Sequence, residues 1–363
     1  MTETDPAGST DSIDPDRLKA FAFLLFSKLD GAYTAGMVHL GDRMGLYAAM
    51  AESGPTTSVG LAERCGMSER WIREWLHNQG AARLVAHTDG LFSLSPEAVA
   101  VMASPRHPAY GMGMFHRLPQ SMQSLERLPE SFRTGLGFDY DAHGCEGAVG
   151  VERSFEPWYR NSLISVAVPA LAGLQERLEQ GAIAADVGCG AGIAVCLLAE
   201  AFPNSEFHGY DISHFALDRA EARKAASGLS NAHFHDAGTT PLPADSSLDL
   251  VTTFDCIHDM SHPQEVMGSI RRSIKPDGVW LLVDIKAKDT FEENMRNPMA
   301  SLMYGASIMS CMASALSVEG GAGLGTLGLS AKRAEAMASV AGFTRFSTLK
   351  IDHAMNAFYE VRP

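Results

Sequence analysis

The residues best suited to do chemistry lie between positions 186 and 284. A short apolar run, Ile183–Ala184–Ala185, ends in Asp186–Val187–Gly188–Cys189–Gly190–Ala191–Gly192, an acid followed by three alternating glycines. Two later runs also end in acids: Glu206–Tyr210 at Asp211, 19 residues after Gly192, and Ala232–His235 at Asp236. Glycines at a strand-to-helix turn let the backbone approach a bound nucleotide closely. A carboxylate after the second strand can accept from both ribose hydroxyls, and Asp236 can accept from an adenine amino group. Taken alone, each acid also reads as a helix N-cap or a solvated loop residue; three at consecutive strand ends point to one nucleotide site. His258 follows the next strand-like run, Leu248–Phe254. An imidazole there can take a proton near neutral pH, although it could equally cap the next helix beside Asp259 and Ser261.

Two details choose among nucleotides. The third glycine falls one position early for the dinucleotide spacing G-x-G-x-x-G, and position 193 is Ile where that spacing wants Gly or Ala. Asp186 is also poorly placed beside a pyrophosphate. It suits a ligand carrying an ammonium group and a sulfonium, which describes S-adenosylmethionine.

At these residues the sequence resembles the class I S-adenosylmethionine-dependent methyltransferases. The resemblance implies an α/β fold: a Rossmann-like seven-stranded domain whose fourth strand is Leu248–Phe254 and whose fifth, Val279–Asp284, follows a turn at Lys275–Pro276–Asp277–Gly278. The runs Thr344–Ile351 and Asn356–Val361 would be its antiparallel sixth and seventh strands. The implied cofactor residues are Asp186, Gly188, Cys189, Gly190, Gly192, Asp211, Ile212, Asp236, Ala237 and Phe254, with Tyr159 and Arg160 near the cofactor's carboxylate.

The layout is similar to the small-molecule O-methyltransferases of natural-product type, which carry a His-Asp-Trp run whose histidine is the general base. Here the run is Cys256–Ile257–His258–Asp259–Met260, with Met260 in place of the tryptophan. The implied catalytic residues are His258, Asp259 and Asp284, the last orienting the imidazole. A second acidic position of that pattern falls near Gly325–Thr326–Leu327–Gly328, where no acid stands. The acceptor pocket is expected from Phe115, His116, Trp158, Met260, Met299, Met303 and Tyr304, although methionines at helical spacing also read as core. Asp255, Asp259 and Asp284 are weak grounds for a metal, and none is expected.

These residues need elements to position them. Residues 1–14 read as a disordered polar tail, 15–104 as a mostly helical winged-helix domain, 105–180 as a helical connector and 181–363 as the catalytic domain. The winged helix rests on a polar-started helix from Thr57 to Cys65, a stop at Gly66, and a second helix through Trp71, Ile72, Trp75 and Leu76 with Ser68 as N-cap. Its wing is Leu84–Ala86, a turn at Asp89–Gly90 and Leu91–Leu94. Both tryptophans are expected as core or interface anchors. In the connector, Gly135–Gly150 reads as a loop and Phe155–Leu178 as a helix that Pro169 kinks or divides.

Composition excludes some functions. The 363 residues carry 29 Lys and Arg against 43 Asp and Glu, a net charge of −14. Residues 15–104 hold eight basic and nine acidic side chains, 8 − 9 = −1, which argues against DNA binding. Dimerisation through the apolar N-terminal helices is the expected role by analogy. Pro298–Val318 is uncharged over 21 residues but holds five serines, so a buried helix or pocket cover is expected rather than a membrane span. Six scattered cysteines with no C-x-x-C pair, and no signal peptide, point to a reduced, cytoplasmic protein. The functional expectation is methylation of a hydroxyl on a small lipophilic or aromatic acceptor. Two alternatives remain: methylation of nitrogen, carbon or sulfur, and a winged-helix regulator that uses the fold as a ligand sensor.

Overall fold

Asp14 opens the first helix, its Oδ1 accepting from the amides of Asp16 and Arg17 at 2.8 and 3.2 Å, with Pro15 at the first helical position. The computed structural model describes residues 13–363; most of the expected tail therefore lies outside the described residues. The chain divides into two units, Met1–Val99 and Ala100–Pro363.

The first unit comprises α1 (Pro15–Arg43), α2 (Leu46–Ser53), α3 (Ser58–Cys65), α4 (Glu69–Ala81) and a hairpin of β1 (Ala86–Thr88) and β2 (Leu91–Ser93). Thr57 caps α3 by accepting from Gly60 N–H at 3.1 Å, and Gly66 ends it in a left-handed conformation. Asp89 and Gly90 both have positive φ, the pairing a type I′ hairpin turn requires. One expectation changes here. Ser68 occupies the N-cap of α4, but its side chain makes no capping bond. Of the tryptophans, Trp75 is core, donating to Met37 O at 2.9 Å and packing on Tyr47, whereas Trp71 is 79% exposed because it lies on the opposite face of α4. Arg70 and Arg73 are engaged by Glu74 and Glu69 one turn away.

The second unit is built on a seven-stranded sheet of β3 (Ile183–Val187), β4 (Glu206–Asp211), β5 (Ala232–Asp236), β6 (Leu248–Phe254), β7 (Ile274–Ile285), β8 (Arg345–Thr348) and β9 (Asn356–Arg362). Their order is β5-β4-β3-β6-β7-β9-β8, with β9 antiparallel to both neighbours and the rest parallel. Helices cover both faces, so β6 and the Val279–Ile285 part of β7 are buried at every residue rather than at alternate ones. Strand order reverses between β3 and β6, and such a switch point opens a crevice at the carboxyl edge.

Three local expectations are corrected. The segment around Gly135–Gly150 is not a loop throughout: Gly144–Trp158 is a helix. Its Gly147 and Gly150 leave no room for a Cβ, which would come within 2.6 Å of His143 Cβ and Arg117 Cβ respectively. These glycines serve close packing rather than turning. The helix expected from Phe155 is the continuation of this one through Tyr159–Ala167, and the chain breaks at Pro169 before Leu174–Gln180. Lys275–Gly278 is not a turn ahead of a strand but a bulge within β7, because Leu248 pairs with Ile274 and Leu250 already pairs with Val279. The uncharged segment after β7 folds as Ala300–Ala306, a wider turn at Ser307–Cys311, and Met312–Ala315. Among the described residues no helix is long and apolar enough to cross a membrane.

Candidate active site

The donor half of the site is made by backbone. Gly188, Gly190 and Gly192 all have positive φ, so the turn from β3 into helix Ile193–Ala201 is one that L-residues resist. A side chain at Gly188 would strike Cys256 at 2.7 Å, and one at Gly192 would strike Phe234 at 2.5 Å. Gly190 differs: nothing lies within 4 Å of the Cβ it lacks, leaving room at the carboxyl edge. The amides of Gly188 and Cys189 both donate to Tyr210 O, which ties the turn to β4.

The three acids lie at the ends of adjacent strands β3, β4 and β5. Asp186 is 4% exposed, and its Oδ1 accepts from Thr252 Oγ1 at 2.7 Å. Burial pushes its carboxyl up to about 7 despite that hydrogen bond, with Asp211 adding to the rise. Such a group gains from a cation brought beside it. Asp211 accepts from Gly190 N–H at 2.7 Å and Ser213 N–H at 2.8 Å. Burial raises its pKa while these amides oppose the rise. Asp236 turns back on its own loop, accepting from Gly238 N–H at 2.8 Å and Thr239 Oγ1 at 3.2 Å. Ile212 is exposed beside them, and Ala237 N–H donates to Asp211 O at 2.8 Å. Phe254 and Tyr159 meet edge-to-face with ring centroids 5.0 Å apart, both buried. Asp186 is close enough to Tyr159 to reinforce the rise that burial gives its phenol. Arg160, expected near the cofactor's carboxylate, is instead paired with Glu156 at 2.6 Å on the exposed side of its helical turn.

The acceptor half is made by side chains around His258, which is 2% exposed. Its Nδ1 lies 2.6 Å from Asp284 Oδ1, so Nδ1 carries the proton and Nε2 the lone pair of the neutral ring. Asp284 Oδ1 also accepts from Ile285 N–H at 2.8 Å. Asp259 Oδ1 stands 2.9 Å from Nε2 as a charge contact. Burial opposes charge on His258, yet the carboxylates of Asp284 and Asp259 outweigh it and raise the pKa well above the usual imidazole value. Burial works against Asp259 as well, but His258 holds its carboxyl below the usual value. Asp255, held by Asn356, is raised by burial and by Asp284. Near Thr326, where the resemblance calls for a second acid, the Thr326 hydroxyl lies 3.0 Å from Cys311 Sγ. The second carboxylate at the imidazole thus comes from Asp259, next to His258 in sequence.

The expected pocket residues divide. Trp158 packs on Phe254 and Phe358, and Met260 approaches Gly188. His116 is held between Glu146 and Arg153, in the segment that also carries Phe115. Met299 is exposed at a helix start, and Met303 is buried against Ile285 and Leu327. Tyr304 packs on Phe291. Sequence reasoning missed Cys311, Thr326 and Asn356, which reach the His258 cluster only through long-range packing. It also missed Asp141, which accepts from His214 N–H at 3.0 Å and from Ser213 Oγ beside Asp211.

Comparison with known proteins follows the same division. Residues 178–343 match the family described as a methyltransferase domain, and residues 32–104 match the Rv2258c-like winged HTH domain. A dimethylglycine N-methyltransferase from Parasynechococcus marenigrum (strain WH8102) is 32% identical over 139 residues, 38% of this chain and 49% of that protein. The chain therefore spans about half the length of this curated relative. The structure of human N-acetylserotonin methyltransferase with S-adenosylmethionine superposes with a TM-score of 0.69 at 17% identity, covering 97% of this chain and 99% of that one. An O-methyltransferase from neocarzinostatin biosynthesis, bound to S-adenosylmethionine and 2-hydroxy-5-methyl naphthoic acid, gives 0.60 at 15% identity over 91% and 95%. At these identities the superpositions show the fold. Residues 178–343 therefore carry a methyltransferase domain, and residues 32–104 ahead of it an Rv2258c-like winged helix-turn-helix domain.

Proposed function

We propose that this protein methylates a hydroxyl group of a small lipophilic or aromatic molecule, with His258 as general base. The observation that carries this reading is the buried His258, its Nδ1 held by Asp284, directly after β6 at the edge that carries the glycine turn. Asp186 fits the cationic end of S-adenosylmethionine because a buried carboxylate near pKa 7 gains from an ammonium partner. The open space at Gly190 and the carboxylate of Asp211 fit its ribose. When bound, S-adenosylmethionine supplies an electrophilic methyl carbon. The chain's own work is to align the acceptor oxygen, exclude water and remove the acceptor's proton. His258 Nε2 receives that proton, and Asp284 steadies the imidazolium that results.

An aromatic hydroxyl is supported by the naphthoic acid in the neocarzinostatin enzyme, and an amine acceptor is the second reading, favoured by the dimethylglycine N-methyltransferase match. We also infer a homodimer joined through α1, which exposes Phe21, Phe23, Leu24, Leu25 and Phe26. The paired arginines of α4 argue against DNA as a partner. The deciding experiment is His258→Ala. Methyl transfer should fall by about 10²–10⁴-fold while calorimetric affinity for S-adenosylhomocysteine stays unchanged. Full activity in this variant would end the base assignment.

A further inference from the structure

We propose that His258 Nε2, Asp259 Oδ1 and Cys311 Sγ form a binding site for one zinc ion, with its fourth position open. One ligand atom from each of the three residues lies within 4.8 Å of the other two, and Nε2 and Oδ1 are 2.9 Å apart. An ion with tetrahedral bonds of about 2.0–2.3 Å draws such a set together with small side-chain rotations.

Three observations support the site. First, Asp259 Oδ1 and His258 Nε2 form an ion pair at 2.9 Å, while this buried oxygen meets no well-aligned donor among the described residues; the pair already stands near the spacing of neighbouring ligands of one ion. Second, His258 gives its other nitrogen to Asp284 at 2.6 Å, the carboxylate partner that a zinc-binding histidine usually keeps. Third, carboxyl groups outnumber cationic ones: Asp255, Asp259 and Asp284 crowd a single imidazole, and Asp284 Oδ2, on a residue 1% exposed, has no hydrogen-bond partner among the described residues. The positive charge of Arg117 acts on Asp259, but its guanidinium donates to Ser310 Oγ at 2.8 Å.

The donor set selects the metal. Thiolate and imidazole favour zinc over magnesium or calcium, which prefer all-oxygen sites. The Thr326 hydroxyl, 3.0 Å from Cys311 Sγ, is placed to donate to a thiolate. Binding forms zinc bonds to Nε2, Oδ1 and Sγ and releases to solvent both the Cys311 thiol proton and the Nε2 proton of the imidazolium; nothing is oxidised or reduced. It also occupies the lone pair that the base reading above assigns to proton removal. Resting on that reading, the zinc-loaded enzyme should be inhibited.

The test uses the full chain with zinc chloride and, as a spectroscopic probe, cobalt(II). Calorimetry should find one zinc per chain, with a proton release seen in buffers of different ionisation enthalpy. Cobalt should give a thiolate charge-transfer band. Cys311→Ser should lose that band and bind zinc at least tenfold more weakly, each protein's own zinc-free rate serving as its reference; Cys311→Ala is the second variant, and a melting curve checks each. Zinc should then inhibit the wild type and spare both variants. No stoichiometric zinc binding by the wild type, or equal binding by folded Cys311 variants, overturns the site whatever His258 does in catalysis. Cys311-dependent binding with undiminished transfer upholds the site and removes the base reading instead.

Discussion

Two stretches of the same sheet edge are built in opposite ways. Between β5 and β3 the site is backbone: three glycines at positive φ and strand-end acids that mostly accept from amides. Between β6 and β7 it is side chain: one imidazole among three carboxylates, with Cys311 and Thr326 brought in from the cover. A backbone site has a shape that tolerates few residues but does not depend on remote packing. A side-chain site depends on ionisation and on segments far apart in sequence. The donor half should therefore fail through geometry and the acceptor half through charge.

The largest effect is expected where the glycine turn is also core. Gly192→Ala must adopt φ +67 and push its Cβ against Phe234 at 2.5 Å and Ala220 at 2.9 Å. Left-handed strain of about 1–2 kcal/mol adds to overpacking of about 1–3 kcal/mol. Urea denaturation should show a loss of about 2–5 kcal/mol. Gly190→Ala has φ +52 but open space around it. Only the strain term remains for stability, so the principal loss should be in cofactor affinity. Equal destabilisation of the two variants would contradict the assignment of Gly190 to a ligand space.

Asp186 brings charge into the geometric half. A carboxyl raised from 3.8 to about 7 by burial disfavours the folded state above its unfolded pKa, by about 1.4 kcal/mol per unit. The sign follows from the raised value: the folded chain holds this proton more tightly, so the contribution favours folding at low pH and is lost as pH rises towards 7. Asp186→Asn keeps an acceptor for Thr252 and removes the charge. Its melting temperature at pH 8 should equal or exceed the wild type's, while affinity for S-adenosylhomocysteine falls about 10–100-fold. A lower melting temperature with unchanged affinity would make Asp186 structural only.

The same contrast explains what could be read from the linear chain. Asp186–Gly192, Asp211 and Asp236 carry local signals, because strand ends and glycine turns are properties of neighbouring residues. Gly147 and Gly150 misled, since a glycine that admits a neighbouring helix has the same letter as one that makes a loop. Met299 and Met303 show that apolar spacing locates a helix but not which partner each face receives. Arg160 sits in the right segment, yet its side chain runs to Glu156 one turn back. Cys311 and Asn356 have no local signal at all: their distances from His258 in sequence are bridged only by the packed sheet and its cover.

The smallest effect, and the one that most sharpens the acceptor half, concerns Asp259. A base works only while unprotonated, and two carboxylates hold the His258 pKa well above its usual value. Activity should therefore climb as pH rises through and beyond neutrality, with one acidic limb set by His258. Asp259→Asn removes the charge 2.9 Å from Nε2 but leaves Asp284 on Nδ1. The folded pKa falls, more of the ring is neutral at pH 7, and the limb of kcat/KM should move towards acid. Asp284→Asn also lowers the pKa but no longer fixes a charged partner at Nδ1, so its plateau at high pH should drop. Identical pH profiles for wild type and Asp259→Asn would mean that Asp259 does not act on the base. The stability sign runs the other way: the raised pKa favours folding below the unfolded value and loses that contribution as pH rises through the folded one. Asp259→Asn should therefore narrow the difference in urea midpoint between acid and alkaline pH, even as its activity spreads to lower pH.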